Sequence, residues 1–158
     1  MKFQSGDFEA VHASPIWRDS ANVIFAAHLG EVDGRNEWEQ LWGEIISPGN
    51  VKLCCIPFFA YGLALGDVVE IDDDYVVSRV VQRSDQLTFR VWFGDASERG
   101  KQLCVETVNN FPALIEWSSE NLLAVSVSSQ KAQQFADYLQ RCEGEGFLQY
   151  ESGQQERA

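Results

Sequence analysis

The sequence predicts an α+β protein in two halves: a β-rich N-terminal half, built as a small bent sheet or partial barrel, followed by a ferredoxin-like βαββαβ half. Three observations carry this reading. Short β-prone runs broken by the turn signals Asp33-Gly34, Ser47-Pro48-Gly49-Asn50 and Asp72-Asp73-Asp74 crowd residues 21–84. Apolar residues at helical spacing then follow in two blocks, separated by strand-like runs. The third observation is Ile56-Pro57-Phe58-Phe59-Ala60-Tyr61-Gly62-Leu63-Ala64-Leu65-Gly66-Asp67-Val68-Val69, an apolar stretch with no charge until Asp67. It is a structural signature that supplies no nucleophile or metal-ligand set.

Residues 1–20 mix Ser, Asp, Pro and isolated aromatics without a period, which predicts an N-terminal arm docked by Trp17. Val23 to Leu29 reads as a strand ending at Gly30, before the Asp33-Gly34 turn. His28 shares a strand face with Ile24 and Ala26, the setting of a half-buried, satisfied histidine. Trp38 to Ile46 fits a helix or a strand by pattern, and its neighbours decide: a turn cluster and the β-prone run Val51 to Ile56 make it one arm of a hairpin. Asp67 to Ile71 and Tyr75 to Arg83 form a second hairpin across Asp72-Asp73-Asp74. That is about five strands, enough for a strongly bent sheet or partial barrel.

From residue 85 the order is strand (Leu87 to Phe93), helix, strand (Leu114 to Trp117), strand (Leu122 to Val127), helix, strand (Phe147 to Tyr150). The first helix carries Cys104, Val108 and Phe111 on one face and stops before Pro112. The second starts with Ser128 or Ser129 as N-cap, aligns Ala132, Phe135, Ala136 and Leu139, and ends before Gly144 and Gly146. Asp137 and Arg141 are spaced for an i, i+4 pair. Both helices can cover one face of the sheet, and residues 152–158 form a polar tail. The chain thus divides into 1–20, 21–84, 85–151 and 152–158.

The 158 residues suffice for a core, since a chain of this size buries about 68 to 70% of its unfolded surface. With 45% hydrophobic and 23% charged residues, the composition is that of a folded domain. No apolar run reaches the ~18 residues of a membrane span and no leader pattern opens the chain, so the expected location is the cytoplasm. Cys54, Cys55, Cys104 and Cys142 have neither a disulfide framework nor metal spacing, and read as buried thiols. The formal charge of -12 comes from 24 acids spread evenly along the chain against 12 bases. Such a surface repels nucleic acid and anionic lipid and attracts a basic protein.

Among candidate constellations, Asp72-Asp73-Asp74 with Glu70 and Asp67 is the densest acid cluster. Adjacent strand carboxylates diverge, and the run lacks the alternating spacing of a calcium loop, so it reads as a turn whose charges can meet a partner's Lys or Arg. Gly94 to Lys101 lacks the spacing of a phosphate loop and reads as a strand-to-helix connection. Ser84-Asp85 has no neighbouring His for a triad, the two histidines being His12 and His28. Phe58, Phe59 and Tyr61 lie between strands, where they either plug one end of the barrel, helped by Pro57, Gly62 and Gly66, or project as a contact patch.

Ile56-Pro57-Phe58-Phe59-Ala60 with Gly62 and Leu65-Gly66-Asp67-Val68-Val69, then Arg83-Ser84, Thr88 and Arg90, and Glu145-Gly146-Phe147 with Tyr150-Glu151, resemble a bacterial family known as uncharacterised domain 4265. The resemblance covers about residues 21–151. Its usual pattern places an Asp-Asn pair where this chain has Cys54-Cys55. The family implies no established activity. Small bacterial domains of this type often resemble immunity proteins, which neutralise a toxin of the same or a neighbouring cell.

The expected function is therefore a cytoplasmic, acidic protein-binding domain: an immunity protein that occludes the active site of a basic toxin, with no cofactor. The expected contact residues are Asp67, Glu70, Asp72, Asp73 and Asp74, with Glu37 and Glu39 as a second acidic strip and Trp38 and Tyr61 as aromatic anchors. The alternative is a small-ligand or enzymatic domain using the cleft between the halves.

Overall fold

The computed structural model describes residues 6–153 and is an α+β structure with two sheets. In the first sheet, β2 (Val23–Val32) and β3 (Arg35–Ser47) form a long hairpin. Its two-residue turn needs a left-handed backbone at both positions, and Asp33 and Gly34 have φ of 50° and 78°. β3 pairs with β4 (Asn50–Leu53), β4 with β5 (Val68–Ile71), and β5 with β6 (Val77–Gln82), all antiparallel. A bridge between Ala26 and Val76, with the Ala26 N–H on the Tyr75 carbonyl at 2.9 Å, brings the end of the sheet round to β2. Phe25, Leu41, Val51, Leu53 and Val69 fill the concave side.

Gly43 makes this curvature possible. A Cβ there would fall on Val51 Cγ1, within 2.7 Å of the Lys52 carbonyl and 2.9 Å of the Phe25 ring.

In the second sheet the chain order is β7 (Gln86–Trp92), α1 (Glu98–Asn109), β8 (Ala113–Trp117), β9 (Leu122–Ser128), α2 (Ala132–Gly144) and β10 (Gln149–Ser152). The spatial order is β10-β7-β9-β8 with every pair antiparallel. Alternation along β7 and β9 divides the two faces. Phe89, Val91, Leu123, Val125 and Val127 meet Cys104, Val108, Phe135 and Leu139 of the helices. The opposite face presents Thr88, Arg90, Ala124 and Ser126, and packs toward the first sheet.

Several expectations change in detail. The N-terminal arm contains a strand, β1 (Asp7–Ala10), parallel to β3. Asp7-Phe8-Glu9-Ala10 does alternate, but four residues are too short a run to stand out from the arm around them. Trp17 does dock the arm, with its backbone N–H on the Cys54 carbonyl at 3.0 Å and its side chain packed on the cluster around Ile56 and Phe58. His28 is exposed rather than half-buried, because the strand register shifts between His28 and Gly30, and its ring meets the Asn36 carboxamide at 3.0 Å. Ser97 caps α1, accepting the Gly100 N–H at 3.1 Å. By contrast, α2 starts after Lys131 without a side-chain cap, since the Ser129 hydroxyl is turned to Asp85. Asp137 takes the Gln133 carboxamide at 2.9 Å, and no ion pair with Arg141 forms. The last strand lies two residues later than expected. Residues 152 and 153 belong to the fold, with the Gly153 N–H on the Thr88 carbonyl at 2.7 Å; the remaining tail residues 154–158 lie outside the described residues.

Candidate functional site

Residues 54–67 run as irregular backbone between the two sheets, yet most of them are buried. Buried backbone amides without a partner are costly: Cys54, Gly62, Gly66 and Asp67 find backbone carbonyls, and others draw on side chains. The Glu39 carboxylate of β3 accepts the N–H groups of Phe58, Phe59 and Ala60 at 2.7, 2.9 and 2.8 Å. From β8, Glu116 accepts the Ile56 N–H at 2.5 Å. From β7, Arg90 donates through Nε to the Phe58 carbonyl and through Nη2 to the Ala60 carbonyl at 2.9 Å. At the far end, Asp67 accepts the N–H groups of Ala64 and Ser84 at 3.0 and 2.7 Å. Arg83 lies 3.3 Å from Asp67 and donates to the Gly62 carbonyl, while the Ser84 hydroxyl donates to the Leu65 carbonyl at 2.7 Å.

His12 joins the two sheets. Its Nε2 is 2.8 Å from Glu39 Oε2 and its Nδ1 is 2.8 Å from Glu116 Oε1. A ring that donates to carboxylates from both nitrogens is an imidazolium. Burial opposes that charge, but Cys55, Glu116 and Glu39 more than offset it and push the His12 pKa up to about 12 from 6.5. Burial would likewise raise Glu39, yet His12 and the Phe58 and Phe59 amides hold it below its usual 4.5. Burial pushes the neighbouring Cys55 thiol up, and its sulfur takes the Trp42 N–H at 3.4 Å. His12, Glu39 and Cys55 are closed to solvent, and the carboxylates that His12 holds fix the backbone of the buried segment.

The contact residues expected from sequence separate accordingly. Asp67, Glu39 and Trp38 are corrected: at 1, 0 and 8% exposure they are interior groups, two of them engaged with the buried segment, and cannot form a contact surface. Asp72, Asp73 and Asp74 are exposed at the β5–β6 turn, where Asp72 Oδ1 accepts the N–H groups of Asp74 and Val76. Glu70 is half-buried and pairs with Arg79 at 3.1 Å; Glu37 is also half-buried. Tyr61 is exposed and donates its hydroxyl to Glu151 at 2.7 Å. The aromatic segment divides: Phe58 is buried against the second sheet, in a cluster apart from the core of the first sheet rather than as a plug in the barrel end, while Phe59 and Tyr61 project. Ile56, Phe58 and Leu65 of this segment pack with Ala124 of the second sheet, so the segment occupies part of the space between the halves.

Sequence reasoning missed His12, Glu116 and Arg90 as partners of the segment. The available signal was polar alternation: Thr88 and Arg90 interrupt Leu87, Phe89 and Val91, and Glu116 follows Leu114-Ile115. Among the described residues, no group of three or more His, Cys, Asp or Glu is arranged to hold a metal ion, and no helix is long and apolar enough to cross a membrane.

A crystal structure described as that of a hypothetical protein from Neisseria gonorrhoeae is similar to this chain, with a TM-score of 0.68 and 23% identity. The match covers 85% of this chain and 96% of that one, and at this identity it shows the fold. No curated protein matches the sequence. Residues 39–150, from the carboxylate that holds the buried segment to the last strand, match the model of a family described as a domain of unknown function, and the chain belongs to that family, DUF4265.

Proposed function

We propose that the chain is a cytoplasmic, acidic protein-binding domain: an immunity protein that neutralises a basic bacterial toxin by occluding its active site. The observation that carries this reading is the division of the acids. The interior carboxylates Glu39, Glu116 and Asp67 are consumed in holding backbone, whereas Asp72, Asp73 and Asp74 stand exposed at one hairpin tip beside Glu70 on a chain of charge -12. Tyr61 and Arg79 line one groove of about 320 Å³, and Arg79 pairs with Glu70, so an exposed aromatic ring lies on the flank of the acidic strip. A basic partner is attracted by that tip, while nucleic acid and anionic membranes are repelled. For the second half, we infer a ferredoxin-like sandwich, a reading supported by the order β10-β7-β9-β8 with both helices on one face.

The test pairs this protein with a basic toxin domain encoded in a neighbouring reading frame. Co-expression is expected to restore growth. Replacing Asp72, Asp73 and Asp74 together with Asn is expected to slow association and flatten its salt dependence without unfolding the protein, because the Asn carbonyl can still accept the turn amides. Equal association by parent and variant at low and high salt overturns the assignment of the acidic tip, and a protein that neither binds nor protects overturns the immunity reading.

A further inference from the structure

One buried cation is incompletely used. Arg90 is 4% exposed, with Nε and Nη2 committed to the Phe58 and Ala60 carbonyls, and its buried Nη1 has no hydrogen-bond partner. The nearest acid, Glu151 Oε1, stands off at 3.5 Å and already takes the Tyr61 hydroxyl at 2.7 Å. The Tyr61 ring covers the guanidinium at 4.6 Å, which compensates its charge but does not accept an N–H in line. An unsatisfied donor on a buried guanidinium is costly and rare enough to require an explanation.

Arg90 also lines a cavity of about 240 Å³ at the end of the second sheet that the 54–67 segment leaves uncovered. Its walls are Phe59, Trp92 and Leu122, with Gln149 and Glu151 at the rim. Phe59 and Trp92 are 38 and 47% exposed, an unusual state for two large aromatic side chains facing one hollow. An apolar hollow with a single convergent charge suits a small ligand with one anionic group. A planar carboxylate matches the guanidinium edge, and the aromatic walls match a compact apolar body. Glu151, 3.5 Å from Nη1 and with its side chain half exposed, can swing outward to admit a competing carboxylate.

We propose that this cavity binds a carboxylate carried on a compact apolar or aromatic group, with the carboxylate on Arg90 Nη1 and the apolar body between Phe59, Trp92 and Leu122. Free small acids and a C-terminal apolar residue of a peptide present the same chemistry.

The experiment is a heteronuclear NMR titration of the full chain with N-acetylphenylalanine and, in parallel, N-acetylphenylalanine amide. The acid is expected to move the Trp92 indole and Phe59 amide resonances and to bind about tenfold or more tightly than the amide, which lacks the charge for Nη1. Glu151→Gln removes the resident competitor and is expected to tighten the acid severalfold while leaving the amide unchanged. Leu122→Trp fills the hollow and is expected to abolish both responses with an unchanged circular dichroism spectrum. These variants leave Arg90 in place, so the test does not depend on an Arg90 variant that fails to fold. A hexapeptide ending in Phe, compared with its amidated form, separates the sources: tighter binding than the single residue assigns the site to a peptide terminus, equal binding to a free acid. Equal affinity for acid and amide, or no movement of the Trp92 resonance at about 10 mM acid, a limit weaker than any useful affinity, overturns the proposal.

Discussion

The rings of His12 and Phe58 lie face to face, with centroids 4.1 Å apart and planes 10° from parallel. An imidazolium held by carboxylates from both sheets thus forms the floor on which the apolar segment rests, and Phe58 has a cationic ring on one side and the apolar interior on the other.

Phe58→Ala is expected to cost ~3 to 5 kcal/mol, because it opens a cavity in the contact between the sheets and exposes the imidazolium. Phe59→Ala, at a projecting position, is expected to cost under ~1 kcal/mol. Urea unfolding of the two variants measures the difference, and equal losses would mean that the two neighbours share one environment.

The pH dependence follows from the same cluster. His12 has a folded pKa above its unfolded value, so its contribution is complete below 6.5 and is lost as pH rises toward about 12. Glu39 has a folded pKa below its unfolded value, so its contribution is present above 4.5 and is lost as pH falls through the lowered folded value. Stability from this cluster therefore peaks between pH 4.5 and 6.5. Thermal denaturation across pH checks this, and Glu39→Gln is expected to remove the acid limb at a cost of ~3 to 5 kcal/mol, the scale of a broken buried ion pair.

Gly43→Ala is expected to lower stability by more than ~1 kcal/mol and to loosen the first sheet, since its methyl group would meet Val51 and the Lys52 carbonyl. Gly144→Ala, on α2 where a Cβ meets nothing within 4 Å, is the control and should be neutral or mildly stabilising. Amide exchange in β4 distinguishes the two.

All four cysteines are buried and free. Burial pushes the Cys54 and Cys104 thiols up to about 11, so thiolate is scarce at neutral pH. Alkylation is expected to proceed only after unfolding, and reductant or chelator should not shift the melting temperature. Rapid labelling of the native protein would place a thiol at the surface.

The elements themselves were legible because each rests on local chemistry. Asp33-Gly34 can take the left-handed turn, Pro112 ends α1 beyond its last residues, and alternation in β7 and β9 marks two faces. The site was not, because its groups meet across 60 residues from Ile56 to Glu116 and 104 from His12 to Glu116. Glu39 read as one acid in an acidic strip since nothing adjacent in sequence reveals that three amides converge on it. β1 alternates polar and apolar over only four residues and is held by its distant parallel partner, so its local trace is too short to mark a strand.

Segment 54–67 follows β4 by connectivity but takes much of its hydrogen bonding from the second sheet, and this limits how the protein can be divided. A cut at residues 84 and 85, where the sequence changes character, would leave one fragment with a loop of unmet amides and carbonyls. The other would carry Arg90 and Glu116 bare on an open sheet. Neither piece is a module that can be exchanged with another protein. Recombination within this family should therefore keep the two halves together, and mixing the separated fragments should restore folding only when both are present.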